Sequence, residues 1–472
     1  MKLLVKKILY LQKYGTTLII SLIFIIIFSA LAVSLASLST TNLQIADNFS
    51  KANRARFAAE SGLEIIRQWF SNVAIPGNTL LSSQFSYLAS TQPGSLRNAA
   101  YNTSNVTIQY QNSTITIPAI TLNSADNERF CAVITPLPTE AEPNKLEIEI
   151  KGTAKNSTKT IKVNCQISER GHTVFDFGVA TKGPLSLKGN IDLEGVNVAV
   201  EASVYIESQN DNLALSIEGN SQIAGNVSIV NSAANVYLQG GKAGIGGETG
   251  QNAINNHVTF GVPPTDFPIP NPAHFAQYTT SIINSSTNTS ANATYENAKI
   301  IGGTNPNFTG NVVLKGVLFI ETPNVVTFSG NVNIIGLIVG NGDYMDDSGT
   351  NQIKITGNVA NASVSQLPDE PQFAEIRNEK GTFMLAPGFK ASFGGNFNTL
   401  SGAIAANGIT FFGNAGGTIN GSVINYSDEE MTMTGNADLY FNRSGITEIP
   451  AGFRPEIIVT FVPTSYSEIA GL

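Results

Sequence analysis

A mainly β protein with one long N-terminal α-helix is the fold class this sequence predicts. Three observations predict it. The first seventy residues hold an apolar run that passes without a break into an amphipathic helical stretch. From Asn105 the apolar period drops to two. From Phe177 a Gly-Asn pair recurs between short apolar runs, several at intervals of about 20 residues. In chain order these imply a membrane-spanning helix, a small α+β module and a C-terminal parallel β-helix or β-solenoid-like head.

The helix comes first. From Thr16 to Ala46 there is no charged residue, and Leu18 to Leu38 is almost wholly apolar. About 20 such residues cross a hydrocarbon core. Ser21, Ser29, Ala30, Ala32, Ser34 and Ala36 are the small residues that helix contacts in a bilayer use. Lys2, Lys6, Lys7 and Lys13 precede the run with no acid among them, so the head of the chain stays cytoplasmic and the bulk lies outside. A secretory signal has an apolar core of about 7–15 residues and a small-residue cleavage boundary; this run is longer and has none. Beyond it, Ala52, Ala55, Ala59, Leu63, Ile66 and Phe70 form one apolar stripe. Lys51, Arg54, Arg56, Glu60, Glu64 and Arg67 lie off the stripe, which must dock on the domain that follows. Gly62 reads as a close-packing position.

The stretch Lys13-Tyr14-Gly15-Thr16-Thr17-Leu18-Ile19 resembles the class III signal of type IV pilins and pseudopilins. The resemblance implies cleavage by a prepilin peptidase after Gly15 and a mature chain starting at Thr16. Family members usually carry phenylalanine first and glutamate fifth; here those positions are Thr16 and Ile20. PilX-type minor pilins and the large tip pseudopilin of type II secretion also lack that glutamate. Arg54-Ala55-Arg56-Phe57-Ala58-Ala59-Glu60-Ser61-Gly62-Leu63-Glu64 looks like the corresponding segment of PilX-type N-termini. The resemblance covers about residues 10–70. It implies a pilin-like α+β module, other pilin or pseudopilin subunits as partners, and a single-pass inner-membrane protein with its C-terminal domain periplasmic or extracellular, or incorporated in a pilus.

The expected organisation is a leader at 1–15, the helix at 16–72, the small module at 73–170, the head at 177–447 with an insertion at 262–298, and a C-terminal cap at 448–472. In the module, residues 75–100 read as loop with a short helical patch. Val106-Thr107-Ile108-Gln109-Tyr110, Lys145 to Lys151 and Thr158 to Val163 alternate as strands between Asn/Gly/Ser turns. Cys131 and Cys165 each sit in such a strand, which makes a disulfide between them a candidate in an exported domain.

In the head, pairs such as Gly189-Asn190, Gly330-Asn331 and Gly435-Asn436 suit the corners of stacked coils, with asparagines bonding up a ladder. Val313, Leu318, Ile320, Ile335, Ile338, Ile404 and Ile424 are expected to point inward. The competing architecture is a β-sandwich with Gly-Asn hairpins, but the hairpin-favouring order Asn-Gly is sparse. Pro263 to Pro272 cannot be a central strand and begins the insertion. The tail from Glu448 is expected to cap the stack's open end.

Residues 1–67 carry eight basic and three acidic side chains, a net of +5, and the whole chain carries −8, which leaves −13 for residues 68–472. That balance suits solubility outside a cell and excludes nucleic acid as a partner. Asp343, Asp346 and Asp347 are weak calcium candidates that lack the twelve-residue loop pattern. Gly240 to Gly247 holds Lys242, but no Ser or Thr follows it, so it is no phosphate loop. His172, His257 and His274 are scattered. Asp192, Glu194, Glu201 and Glu207 could line one face, as a polysaccharide-active β-helix would require. No partner acid or base accompanies them, so the expected function is non-enzymatic, with no cofactor. The first reading is a minor pilin or pseudopilin-like component whose large head serves surface interaction, binding a surface polysaccharide or another cell, or a tip or initiating role. A membrane-anchored adhesin or scaffold and a tethered carbohydrate-active enzyme are the alternatives.

Overall fold

The computed structural model describes residues 2–71, 73, 75–76, 81–90, 108–137, 145–209, 212–346, 348–443 and 449–469, with side chains described from residue 17 in the first helix and residue 84 in the second. The chain divides into two compact units: 1–75, 79–168 and 457–472 form one, 76–78 and 169–456 the other.

In the first unit, helix α1 runs unbroken from Lys2 to Ser71, about 105 Å at the rise of an α-helix. A short helix α2, Leu81–Ser90, follows. The strands Gln109–Gln111, Thr114–Asn123, Glu128–Pro136, Lys145–Ala154 and Ser157–Arg170 pair antiparallel, each with the next. Their alternation decides the packing. Ile117, Phe130, Ile134, Ile148 and Ile150 are buried against Ala59, Ile66, Trp69 and Phe70 of α1. The helix lies so close that a Cβ on Gly152 would collide with the Ala55 backbone oxygen. The docked stripe includes Ala55, Ala59, Ile66 and Phe70 as expected, and also Ala58, Gly62 and Trp69, while Ala52 and Leu63 are only half-buried.

The C-terminal tail does not cap the head. Glu456–Phe461 adds a strand beside Ser157–Arg170, and Ser467–Ile469 pairs antiparallel with that same strand, Glu468 opposite Ile161. Ile457 and Val459 complete the first unit's core. The tail covers an exposed sheet edge, which an alternating strand does better than a turn-rich cap would.

The expected disulfide is also corrected. Cys131 pairs with Lys151 and Cys165 with Leu146, so a whole strand lies between them. At about 4.8 Å per strand they stand roughly 9.6 Å apart across the sheet, beyond the ~7 Å a bridge allows. They also lie on opposite faces: Cys165 is buried in the core, Cys131 half-exposed on the other side, and both are free. Burial pushes the Cys165 thiol up to about 12.

The second unit is a β-solenoid-like stack whose described residues form three sheets of 12, 9 and 7 strands, parallel except where Glu248–Thr249 pairs antiparallel with Gly244–Ile245. Its winding does not follow the chain. The first coil, Val179–Thr181, Leu185–Gly189 and Asp192–Gly195, lies inside the stack. The coils at 204–223 and 227–245 climb from it to one end, where helix α3, Gly250–His257, and the strand Val258–Phe260 follow. Residues 261–280 then run along the outside, and the chain re-enters at the opposite end with Ser281–Ile283. From there the coils return toward the middle. The last one, Val423–Asn425, Met431–Gly435 and Leu439–Phe441, pairs in parallel with the first, Val423 opposite Val179 and Met431 opposite Leu185. Ser281–Ile283 and Ala293–Ile300 are thus strands of the 12-stranded sheet, so the insertion is shorter than 262–298.

Segment 261–280 explains the apolar runs. Tyr426 donates to Pro268 O at 2.6 Å, Thr265 N donates to Tyr205 Oη at 2.8 Å, and Phe275 is fully buried. With Phe373, Ile376 and Phe453 it covers the outer face of the 12-stranded sheet. That sheet is therefore apolar on both faces, and a run such as Val317-Leu318-Phe319-Ile320 does not reveal which residues point inward. Leu318, Ile320, Ile338 and Ile404 do. Ile335 and Ile424 face the outer layer, and Val313 is half-exposed.

The Gly-Asn pairs other than Gly225-Asn226 stand at one corner, just after the strands of the 9-stranded sheet, and several align across coils. Asn220 donates to Asn190 and Asn190 to Asn436, both at 2.8 Å, and Asn436 to Asn414 at 3.4 Å. Asn358 donates to Asn331 at 3.3 Å and Asn331 to Asn311 at 3.2 Å. Gly189 has φ +125°, and a Cβ there would strike the carbonyl oxygen of Gly435 on the neighbouring coil. Only glycine lets the corners stack at strand spacing.

Candidate functional site

The N-terminal helix has two halves of different chemistry. From Leu18 to Phe49 its large apolar side chains are exposed, Leu18 at 72% and Phe49 at 68%. No part of its most apolar window is buried. Such a surface is stable only in lipid or against other helices. Hydroxyls in this half do not disturb it, because Ser21 and Ser34 donate to the helix's own Leu18 and Ala30 carbonyls. Ile20 is 54% exposed. Gly15 and Thr16 lie within the helix.

The second half is clamped. Arg54 pairs with Asp126 and lies 3.6 Å from Glu128, and Lys155 lies 3.4 Å from Asp126. The Arg54 guanidinium hydrogen-bonded to it holds the Asp126 carboxyl below its usual range. Arg56 bonds Glu60 at 2.9 Å, Lys159 pairs with Glu468 at 3.1 Å, and Tyr466 donates to Glu60 at 3.4 Å. The segment from Ala58 to Glu64 is thus where the helix settles on its sheet: small residues face inward and charged ones hold the flanks.

In the head, the four carboxylates do not share a face. Asp192 and Glu194 stand near Asp438 and Tyr440 of the last coil, with Glu194 opposite Tyr440. Burial, then repulsion from Asp438 and Glu194, raises the Asp192 carboxyl. Glu207 lies elsewhere, its carboxyl raised by burial against the pull of Lys182. Glu201 is a structural bolt. Its carboxylate accepts from Asn197 N at 2.8 Å, Val198 N at 3.3 Å and Arg443 N at 3.0 Å. Burial would raise it, but these bonds and the Asn197 side chain outweigh burial and hold it at about 2. Asp438 was invisible as a neighbour of Asp192, because 246 positions separate them and only the stacking of last coil on first joins them.

Asp343 and Asp346 turn back on their own loop, accepting from Met345 N and Ser348 N at 3.0 Å, and Asp347 lies outside the described residues. Among the described residues no group of three His, Cys, Asp or Glu side chains is placed to hold a metal ion. The three histidines stay apart: His172 lies 3.0 Å from Glu456, His274 bonds Glu379 at 2.6 Å and His257 meets Asn226 at 2.9 Å.

Helix and parallel stack together define a protein held by one apolar helix that carries a β-solenoid-like head. Residues 15–64 match the PilX N-terminal family, the span from Gly15 through Glu64. In this N-terminal part the chain is similar to that family, and its helix is long and apolar enough to cross a membrane. Among solved structures it is similar to the competence-associated pilin ComZ from Thermus thermophilus, at 13% identity and a TM-score of 0.27, covering 89% of this chain and 97% of that one. It is also similar to an ice-binding protein from the Antarctic ascomycete Antarctomyces psychrotrophicus, at 12% identity and a TM-score of 0.14, covering 57% of this chain and 97% of that one. At such scores neither pair superposes as whole molecules. No curated protein matches the chain.

Proposed function

We propose that this protein is a non-enzymatic minor pilin of a type IV pilus or a type II secretion-type assembly. Its first helix enters the subunit bundle and its head is displayed for surface interaction, at a tip or initiating position. The observation that carries this is α1 itself. One unbroken helix exposes an apolar surface along its first half and docks its second half through Ala55, Ala59 and Ile66. Other pilin-type helices would cover the exposed half. A head of 288 residues, 169–456, on every subunit would crowd a filament, which favours a position used once. Ile20 in place of the glutamate agrees, since a subunit at an end has one fewer neighbour to meet.

Cleavage between Gly15 and Thr16 is the test. Mass spectrometry of the protein from sheared pili is expected to show a chain starting at Thr16 with a methylated amine. A chain that keeps Met1 in the membrane and never appears in the sheared fraction would instead make it an anchored adhesin or scaffold.

A further inference from the structure

The head is one strand short at its Val258–Phe260 end. That strand lies on Val227–Ile229 and starts a further rung of the 12-stranded sheet. The 9-stranded sheet stops one rung lower, at Asn235–Gln239, because the chain turns out of the stack at Gly261, φ +72°. The gap shows in burial. Val236 and Leu238 stand over Leu215 and Ile217, and Val258 and Phe260 over Val227 and Ile229. The lower residue of each pair is buried; the upper four are only half-buried. The backbone is open too. Asn235 N donates to Asn212 O at 2.7 Å, toward the rung below. Main-chain groups alternate along a strand, so Val236 and Leu238 turn theirs to the free edge, where no strand pairs with them among the described residues. A groove of 460 Å³ lies beside this edge. Val236, Val258, Phe260 and Ile254 of α3 give it apolar walls, and Asn235 and Asn255 a polar rim. No described residue that lines it is charged, on a chain that carries −13 over residues 68–472.

We infer that this slot takes an extended segment of a partner protein, added as the strand the last coil lacks. Unpaired edge amides and carbonyls select a β-strand. The rungs of the 9-stranded sheet are parallel, so the segment runs parallel to Asn235–Gln239. Two apolar side chains, two residues apart, face inward and cover Val236 and Leu238. The uncharged wall selects a segment without charge at those positions, because an ion entering it leaves water and finds no counter-ion. A second copy's head does not fit the slot. Its own Val258–Phe260 stands one rung above its edge strand, so two such ends cannot close to strand spacing. The inference rests on the displayed-head reading above only for where such a partner is met; the slot is independent of filament entry.

The test is hydrogen exchange on the full-length chain in detergent, with a capped peptide copying residues 234–240 as the probe. That peptide is uncharged, and it repeats the alternation of the rung on which it would lie. The Val236 and Leu238 amides are expected to exchange freely without it and to slow about tenfold or more at saturation. A peptide with lysine at its two inward positions is expected to bind roughly tenfold or more weakly. Ile254→Asn, half-buried on the groove wall, is expected to weaken binding about threefold, with exchange elsewhere in the head reporting that it folds. Amides already slow in the free protein overturn the inference, as do amides that the peptide leaves fast. Equal protection by the lysine peptide overturns it, and so does unchanged affinity in a folded Ile254→Asn. Protection that rises with protein concentration alone marks a second copy, and protection that comes and goes with the choice of detergent marks a lipid site; either overturns it too. The chain start and sheared-pilus content stay separate readouts, so a failed peptide titration and a failed pilin assignment are told apart.

Discussion

The two units reach stable sheets by opposite routes. In the first, each strand from Gln109 to Arg170 pairs with the next in sequence, and the long-range elements are a docked helix and the C-terminal strands. In the second, the coil that forms first in the chain is flanked by its successor and by the last coil, some 240 residues later. An antiparallel meander can be assembled from local hairpins. A stack closed by its first and last coils needs the whole domain in place before its central contact exists, which raises its contact order. The difference teaches that the head's weak point is not a loop or an end but a seam in its middle.

Two kinds of group hold that seam. Asn425 is fully buried; it donates to Thr181 Oγ1 of the first coil at 3.0 Å and accepts from Gly408 N of the coil before at 2.9 Å. Glu201, just after the first coil, accepts from Arg443 N, just after the last, and Asn197 donates to Asn442 at 3.1 Å.

The most severe way to break the comparison is Ile338→Asp. Ile338 is fully buried in the inner core, opposite Met384. An unpaired carboxylate there is expected to cost about 4 kcal/mol or more and to unfold the head. If the units are as separate as their cores, the first should survive, and limited proteolysis should leave a fragment holding α1 and its sheet. Loss of both units together would erase the contrast. Asn425→Ala is expected to cost about 1–3 kcal/mol by leaving the Gly408 N–H unbonded. Its sharper readout is hydrogen exchange: protection should fall first at 179–181 and 423–425, in the middle of the stack, and not at the ends. The smallest effect is acid. Glu201 holds its carboxyl at about 2, below an ordinary 4.5, so its contribution is whole above pH 4.5 and is lost as pH falls through 2. Thermal melts between pH 5 and 2.5 should show the head weakening, and Glu201→Gln should flatten that slope.

Much of this was legible in the chain. The uncharged stretch from Thr16 to Ala46 could only be a helix for lipid or for other helices. The Ala55, Ala59, Ile66 stripe named its docking face. The recurring Gly-Asn pairs marked corners, because a left-handed residue without a Cβ is what stacked coils need there. Polar neighbours were legible only where coils adjacent in sequence are adjacent in space, as for Asn190 and Asn220. Arg443 looked like any surface arginine, and Asp438 like an isolated acid.

The sequence by itself determined the element types and the surface that the helix must hide and favoured a parallel stack over a sandwich for the head, because these follow from local period, turn chemistry and charge. Only the tertiary structure decided which coil lies on which. Every coil offers nearly the same apolar inner face and the same glycine corner, so no local pattern distinguishes the first coil's two neighbours. The placement of the tail and of residues 261–280 was likewise decided by which sheet surfaces remained uncovered, a property of the assembled sheets and not of the segments that cover them. The separation of Cys131 from Cys165 was decided in the same way: two strands that both alternate can present opposite faces, and only their register shows it.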